Sequence, residues 1–263
     1  MNAPLRDAVR AEWTKLRTLP GTGWLLLGVV AATVIISATV SASMGCSSAA
    51  ACHADVTKLS LTGTYLGQAV VAIVAVLAVG GEYATGMIRT TLAATPRRTT
   101  LLAAKAGVVT AVTLVAGTLA VLGSLLAGRL ILPGHGLSAA NGYVVPSLAN
   151  GADLRAFGGS VLYLVLIALL ALGVTTAVRD SAVAIGLVLG LLFLFTIVAA
   201  VVPSQHLSRH LEQIAPMTAG LEIQTTIGVA SLPLTPWQGL GVLALWAVGA
   251  LLLGATVLCL RDA

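Results

Sequence analysis

The sequence predicts an all-α membrane protein with six membrane-spanning helices. The chain has 263 residues, of which 58% are hydrophobic and only 9% are charged, and its mean hydropathy is +1.01. A soluble domain carries about 25% charged residues, so this chain cannot cover a water-exposed surface with polar side chains. Its charges lie in short segments between apolar runs, and crossing a bilayer as a helix takes about 20 residues. We expect residues 1–263 to form a single transmembrane domain.

Six apolar segments are long enough to cross a bilayer, and none has an acidic residue or an arginine in its interior. Lys105 lies within about one turn of the start of its span. The first apolar run is too long for a signal peptide and follows a polar segment, so we interpret it as a retained span. The six predicted spans are residues 24–44, 61–80, 101–127, 158–178, 182–202 and 237–260.

The basic residues predict that both termini are cytoplasmic. With the N-terminus inside, ten of the fourteen lysines and arginines fall in cytoplasmic segments and four fall outside. Cytoplasmic loops of membrane proteins carry such an excess. The net charge of +5 therefore indicates topology and attraction to an anionic lipid surface, and we expect no nucleic-acid partner.

The N-terminal residues 4–19 are predicted to form an amphipathic helix in the membrane interface. Basic residues occupy its other faces, as is typical of helices that bind an anionic leaflet. A frayed polar tail is the alternative. The apolar residues at helical spacing are Leu5, Val9, Trp13, Leu16 and Leu19.

A polar stretch, residues 81–105, separates the second and third spans. It holds one acid and four of the cations in a chain that is poor in charge: Glu82, Arg89, Arg97, Arg98 and Lys105. We expect a short cytoplasmic helix over residues 82–95, which Pro96 ends. Glu82 should lie at the water boundary, with Arg89 two turns further along on a similar face.

The same stretch carries an apolar stripe that a topology signal alone does not need. We expect this stripe to be exposed, which indicates a surface for a partner. The alternative is a basic loop that sets the topology and has no partner. The residues of the stripe are Tyr83, Met87, Ile88 and Leu92.

The first outside loop contains Cys46 and Cys52. Both face an oxidising compartment in the predicted topology, so a disulfide that closes a small loop is plausible. Two unpaired thiols are the alternative.

After Pro203 the chain is too polar to span, but its apolar residues recur at helical spacing before and after residues 216–220. We expect two short helices there, at the outer interface.

Several chemistries are absent from the sequence. No phosphate-binding GxxxxGK[ST] motif and no zinc-binding pattern occurs, so we expect no enzyme activity, cofactor or metal in this chain. No charge is expected in mid-membrane, which argues against an ion-coupled carrier. Charge-free spans suit a lipophilic or amphiphilic solute, although spans that merely pack together look the same. The pairs Gly63/Gly67 and Gly186/Gly190 have the spacing that lets helices approach closely.

Three segments together resemble the integral-membrane permease of ABC type-2 export systems of the actinobacterial kind. AEWTKLRTLPGTGW, residues 11–24, resembles the elbow helix before the first span. GEYATGMIRTTLAATPRRTTLLAAK, residues 81–105, resembles the coupling helix between the second and third spans. The third segment is TPWQG, residues 235–239, followed by the last span and its LRDA end. The chain departs from the usual pattern at Pro20 and Gly21.

The resemblance assigns roles to particular residues. It implies that an elbow helix contains Glu12, Trp13, Lys15, Leu16 and Arg17. It also implies that the residues contacting an ATPase are Glu82, Tyr83, Gly86, Met87, Arg89, Leu92, Pro96, Arg97 and Arg98.

The resemblance also implies partners and a location. Two copies of a separate ABC ATPase would bind ATP and magnesium, and a second copy of this chain or a sister permease would complete the path. The complex would lie in the bacterial cytoplasmic membrane and export an amphiphile, such as a drug, an antibiotic or a lipid. The alternative is a non-transporting immunity or sensor subunit that binds an amphiphile or a partner protein.

Overall fold

Six long apolar helices form the body of the protein in the computed structural model, which describes residues 3–18, 20–45, 54–94 and 97–260. Each of the six is long and apolar enough to cross a membrane. The described residues contain no strand. The all-α class and the number of candidate spans are therefore confirmed.

Five shorter α-helices accompany the six long ones in the described ranges. In chain order the helices are α1 (Ala3–Thr18), α2 (Pro20–Ser43), α3 (Val56–Ser60), α4 (Thr64–Ala84), α5 (Met87–Ala94), α6 (Arg98–Ile131), α7 (Gly151–Val178), α8 (Ser181–Val201), α9 (Gln205–Ile214), α10 (Pro216–Leu221) and α11 (Pro236–Leu260).

Polar residues at helix ends account for most differences from the predicted bounds. The second span runs to Ala84 rather than stopping at Gly80, so Glu82 lies within its last turn. The fourth begins at Gly151, where the side chain of Asn150 accepts a hydrogen bond from the backbone N–H of Ala152. Polar residues near a helix end lower the local hydropathy, and a cap such as Asn150 favours the helix there, so the hydropathy pattern makes both spans too short.

Helix α7 lies at the centre of the bundle and packs on α4, α6, α8 and α11. Its side chains Leu164, Ile167 and Leu172 have no exposed surface. At Gly173 the backbone meets that of Ala250 and Leu251 on α11, so closely that a Cβ would overlap them. Small residues of this kind let membrane helices approach until their backbones touch.

A side-chain hydrogen bond joins α4 to α7 inside the bundle. The hydroxyl of Tyr163 donates to the Oε1 of Gln68, and the Nε2 of Gln68 donates to the backbone carbonyl of Tyr65. Gln68 and Tyr163 are both fully buried. A buried polar group without a partner is costly, so this pair specifies the register between the two helices.

One of the two glycine pairs forms a close helix contact. A Cβ at Gly63 would overlap the backbone carbonyl of Thr33, and a Cβ at Gly67 would overlap the Thr33 side chain. The backbone N–H of Gly63 also donates to the Oγ of Ser37, at 3.0 Å. By contrast, Gly186 and Gly190 face open space. Only the first pair therefore brings two helices, α2 and α4, together.

Polar bonds tie the segments between the long helices together at the end of the bundle opposite Glu82. The carboxylate of Asp55 accepts from the backbone N–H groups of Thr226 and Ile227, at 2.6 and 3.1 Å. The carboxylate of Asp153 accepts from the Thr57 hydroxyl at 2.6 Å and from the Ser147 N–H at 3.0 Å. These acids hold the loops in place, and Asp153 is almost fully buried.

The prediction of two outer helices is right in number and wrong in position. The first helix, α9, precedes Pro216 as expected. The second, α10, covers residues 216–221, the segment expected to separate the two. Pro216 stands at the first position of α10, where its missing N–H and fixed φ favour helix initiation. Between α10 and α11 the chain forms only 3-10 turns, Glu222–Gln224 and Val229–Ser231.

The close approach of α2 and α4 predicts that Gly63→Ala destabilises the protein. The new methyl would force the two helices apart, and overpacking of this kind costs about 1–3 kcal/mol. Thermal unfolding in detergent measures the effect. Gly186→Ala is the matched control and should leave the midpoint unchanged or slightly higher, because alanine favours a helix. Equal midpoints for the two variants would contradict the contact.

Glu222 predicts a pH dependence of stability. Burial raises the pKa of Glu222 from 4.5 to about 7, against the opposing effects of Lys58 and the backbone N–H of Leu234. The folded state then binds this proton more tightly than the unfolded state does. The stabilisation is complete below pH 4.5 and is lost as the pH rises through 7.

We therefore expect Glu222→Gln to gain stability relative to the parent protein as the pH rises from 5 to 7. The measurement is the difference between the thermal unfolding midpoints of the two proteins at each pH in this range. The effects of the other titrating groups are the same in both proteins and cancel in this difference. Asp7→Asn, at an exposed position, is the control and should run parallel to the parent. A constant difference between parent and Glu222→Gln would show that Glu222 does not titrate in this range.

Candidate functional site

Four charged side chains meet where α1, α4 and α6 converge. Glu12 and Lys15 come from α1, Glu82 from the last turn of α4, and Lys105 from α6. We call these four residues the charge cluster. Glu12 and Glu82 are each 7% exposed and Lys105 is 5% exposed. Burial of this extent is rare for charged side chains unless they are paired.

The four groups form a closed set of ion pairs. The Nζ of Lys105 lies 2.6 Å from Glu82 Oε1 and 2.9 Å from Glu12 Oε2. The Nζ of Lys15 lies 2.9 Å from Glu12 Oε1 and 3.1 Å from Glu82 Oε1. Each lysine therefore bridges both carboxylates. With two acids and two bases the cluster is formally neutral, which makes its burial possible.

A fourth helix joins the charge cluster through Thr91 of α5. The Nζ of Lys15 donates to the Oγ1 of Thr91 at 3.2 Å. An ammonium group has three N–H donors, and those of Lys15 match its three acceptors: Glu12, Glu82 and Thr91. Lys15 thus connects the short helix α5 to two longer helices.

Lys15 remains protonated at neutral pH. Its partial burial lowers the pKa, but hydrogen bonds and charge interactions with Glu12 and Glu82 outweigh that effect. The net result raises the pKa of Lys15 above its ordinary value of 10.5. The ion pairs on α1 are therefore present throughout the physiological range.

Local sequence explains how α1 presents its two charges. Glu12 and Lys15 are three residues apart, and residues at this spacing are neighbours on a helix surface. Ala8, one turn before Glu12, is 6% exposed, so the buried face of α1 is Ala8, Glu12 and Lys15. Trp13 lies off this face and is 49% exposed. Trp13, a member of the apolar stripe expected at the membrane interface, is thus off the face that packs on the bundle.

The predicted coupling helix over 82–95 is two separate pieces. Helix α4 continues to Ala84, a turn follows, and α5 begins at Met87. Gly86 has φ +69 in this turn, the left-handed conformation that glycine adopts most readily. Glu82 and Arg89 therefore do not share a continuous helix, and the prediction that they occupy a similar face of one helix is wrong. Glu82 lies in the last turn of α4 and is buried against neighbouring helices, and its place at the water boundary stays a prediction.

The expected exposed apolar stripe is only partly present. Met87 is 47% exposed, whereas Ile88 is 6% exposed. Tyr83 and Leu92 are half-buried, and Tyr83 packs against the central core. The exposed surface of α5 and its preceding turn consists mainly of Gly86, Met87, Arg89 and Thr90.

The basic residues after α5 have different surroundings. Arg97 is exposed at the start of α6. Arg98 donates to the backbone carbonyl of Leu258 at 2.6 Å, and Arg179 donates to that of Val257 at 3.2 Å. These carbonyls end α11, where cations are favoured by the helix dipole. Arg98 thus caps the last helix, and the ATPase contact that the resemblance implies for it stays a prediction.

Some predicted residues lie outside the described part of the structure. They are Leu19, Cys46, Cys52, Pro96 and the side chain of Leu16. The disulfide between Cys46 and Cys52 therefore stays a prediction. Arg17 is described and is exposed at the end of α1.

Lys105 is the member of the cluster to which sequence reasoning gave no role in the site. It lies two turns inside α6, because that helix begins at Arg98 rather than at Leu101. A single lysine within a long apolar helix implies a buried carboxylate partner. That signal was present, but its partners are distant in sequence and only the folded chain identifies them.

The described residues contain no group of three or more side chains that can hold a metal ion. The rings of His206 and His210 are in contact, with centroids 4.4 Å apart, but no further ligand joins them.

A scan against models of protein families finds no match. A search of characterised proteins finds none with significant similarity.

The charge cluster predicts that Lys105→Met strongly destabilises the protein. The substitution would leave two buried carboxylates to share Lys15. Removing one partner of a buried ion pair lowers the free energy of unfolding by about 3–5 kcal/mol. Adding Glu82→Gln should restore the charge balance and recover part of the loss. Thermal unfolding of the single and double variants measures this coupling. If the two substitutions were simply additive, the charges would not be coupled.

Proposed function

We propose that this chain is the transmembrane subunit of an ATP-driven exporter. It would move a lipophilic or amphiphilic substrate out of the cytoplasm or the inner leaflet by alternating access. The chain itself would bind no nucleotide; ATP and magnesium would be bound by two copies of a separate ABC ATPase. A second copy of this chain, or a sister permease, would complete the translocation path.

The observation that carries this proposal is the attachment of α5 to the charge cluster. Through Lys15 and Thr91 the short helix is bonded to α1, and through Glu82 and Lys105 α1 is bonded to α4 and α6. A displacement of α5 would therefore be resisted or transmitted by three other helices. Ion pairs with little access to water are suited to this, because separating them leaves uncompensated charges.

The exposed surface of α5 is suited to contact another protein. Met87 and Arg89 project from a helix of only eight residues that is anchored on its other side by the buried Ile88. Methionine and arginine are enriched in protein interfaces. An ATPase that closes on nucleotide would push on this surface, and the charge cluster would carry the movement into the bundle.

The proposed orientation places α5 in the cytoplasm of a bacterial cell, with both termini on the same side. The excess of basic residues on that side supports it. Drug or antibiotic efflux is the corresponding physiological role. Export of an endogenous lipid would use the same path.

Arg89→Glu tests the contact with an ATPase. The variant reverses a charge that is exposed on α5, so we expect it to insert and fold normally. The amount of ATPase that co-purifies with the chain should fall about tenfold, which corresponds to about 1.4 kcal/mol. The assay uses ABC ATPases encoded in the same genome, each expressed together with this chain.

Arg129→Glu is the matched control, because Arg129 is also exposed but lies at the far end of α6. It should leave both co-purification and substrate-stimulated ATP hydrolysis unchanged. If neither variant alters ATPase binding, α5 is not the coupling surface. A chain that binds an amphiphile but never an ATPase would instead fit an immunity or sensor protein.

A further inference from the structure

A groove of about 490 Å³ lies beside the charge cluster, between α1, α2, α4 and α6. One end is polar and includes Glu12, Lys15 and Glu82. The rest is apolar and includes Leu25, Val74 and Val109. This volume is within the range of about 300–1,000 Å³ that is typical of small-molecule sites. With one polar end and one apolar part, the groove matches the two parts of an amphiphile.

One atom at the polar end of the groove has an unfulfilled hydrogen-bonding capacity. The Oε2 of Glu82 is buried and accepts no hydrogen bond from the described residues, whereas its Oε1 accepts from both lysines. Buried carboxylate oxygens normally have partners, because an unpaired one costs free energy. Because Glu82 lines the groove, this unpaired oxygen belongs to a residue in the wall of the polar end.

The charge balance defines which donor this acceptor favours. The cluster is already neutral, and all three N–H groups of Lys15 have acceptors. A cationic headgroup would add an uncompensated charge next to Lys15, and an anionic one would meet Glu82 directly. A neutral donor adds no charge, and its desolvation costs far less than that of an ion.

We propose that the groove binds a neutral amphiphile that carries a hydroxyl group. The hydroxyl donates to Glu82 Oε2, and the alkyl part lies along the apolar walls of α2, α4 and α6. The proposal concerns binding to this chain alone, and does not depend on an ATPase or on export. The ligand can be a membrane lipid with a free hydroxyl or a foreign alcohol with an alkyl chain.

Photolabelling in a bilayer tests the proposal. The full chain is placed in phosphatidylcholine nanodiscs, whose lipid headgroup has no hydroxyl, and exposed to dodecanol carrying a diazirine in its chain. Its methyl ether is the matched probe, since it accepts but cannot donate a hydrogen bond. Labelled peptides are identified by mass spectrometry.

We expect the alcohol to label the groove segments of α2, α4 and α6 about tenfold more than the ether does. The corresponding dodecylamine should label them less than the alcohol. Equal labelling by alcohol and ether, or stronger labelling by the amine, would overturn the proposal.

Gly81→Leu and Gly107→Leu separate the groove from the rest of the surface. Both glycines are exposed in helices, with no atom within 4 Å of an added Cβ, but only Gly81 lines the groove. Gly81→Leu should abolish the selective labelling, and Gly107→Leu should preserve it. Loss in both variants, or in neither, would place the labelling elsewhere.

Glu82→Gln should reduce the ratio of labelling by the alcohol to labelling by the ether, even if the substitution also weakens the ion pairs of the charge cluster. If that variant does not fold, the comparison of the two probes on the parent chain and the two leucine variants still decides the question. The ligand's source is found by purifying the parent chain in an amine-oxide detergent and extracting its lipid. A retained hydroxyl lipid indicates a structural lipid; labelling by the added alcohol with no retained lipid indicates an exchangeable solute.

Discussion

The buried ammonium group of Lys105 is the constraint on which the arrangement of helices at this end of the bundle depends. A lysine two turns inside an apolar helix is stable only if carboxylates reach it. Glu82 and Glu12 do so, from α4 and α1, at 2.6 and 2.9 Å. This requirement holds the N-terminal helix against the bundle, although α1 itself is amphipathic and exposes Trp13. Lys15 compensates the second carboxylate and extends the bonding to α5.

The same constraint creates the properties that the proposed function and the groove share. The cluster is formally neutral because it contains two acids and two lysines. The lysines bind both oxygens of Glu12 but only one oxygen of Glu82, so the other oxygen of Glu82 remains a free acceptor. The residue that carries this acceptor, Glu82, lines the groove, and Thr91 ties the cluster to α5. A ligand in the groove and a protein on α5 would therefore both act on the charge cluster. Coupling between two sites needs such a shared physical element.

The other end of the bundle is held together by hydrogen bonds rather than by ion pairs. There the acids Asp55 and Asp153 accept hydrogen bonds from loop backbone and hydroxyl groups rather than from lysines. Within the bundle, Gln68 and Tyr163 fix α4 against α7, and glycines allow backbone contact between α2 and α4 and between α7 and α11. Membrane helices gain little from the hydrophobic effect in lipid, so close packing and these few polar contacts decide how they assemble.

The sequence by itself determined the all-α class, the number of spanning helices and most of their positions, because apolar length and charge placement are local properties. The charge-poor composition marked Glu82, and the family resemblance marked Glu12 and Lys15. Only the tertiary structure decided that they meet, that Lys105 joins them, that Gly86 breaks the coupling segment and that Arg98 caps α11. Apart from the local turn at Gly86, those facts depend on contacts between residues up to 160 positions apart. No periodicity along the chain records which distant charges will neutralise one another once water is excluded.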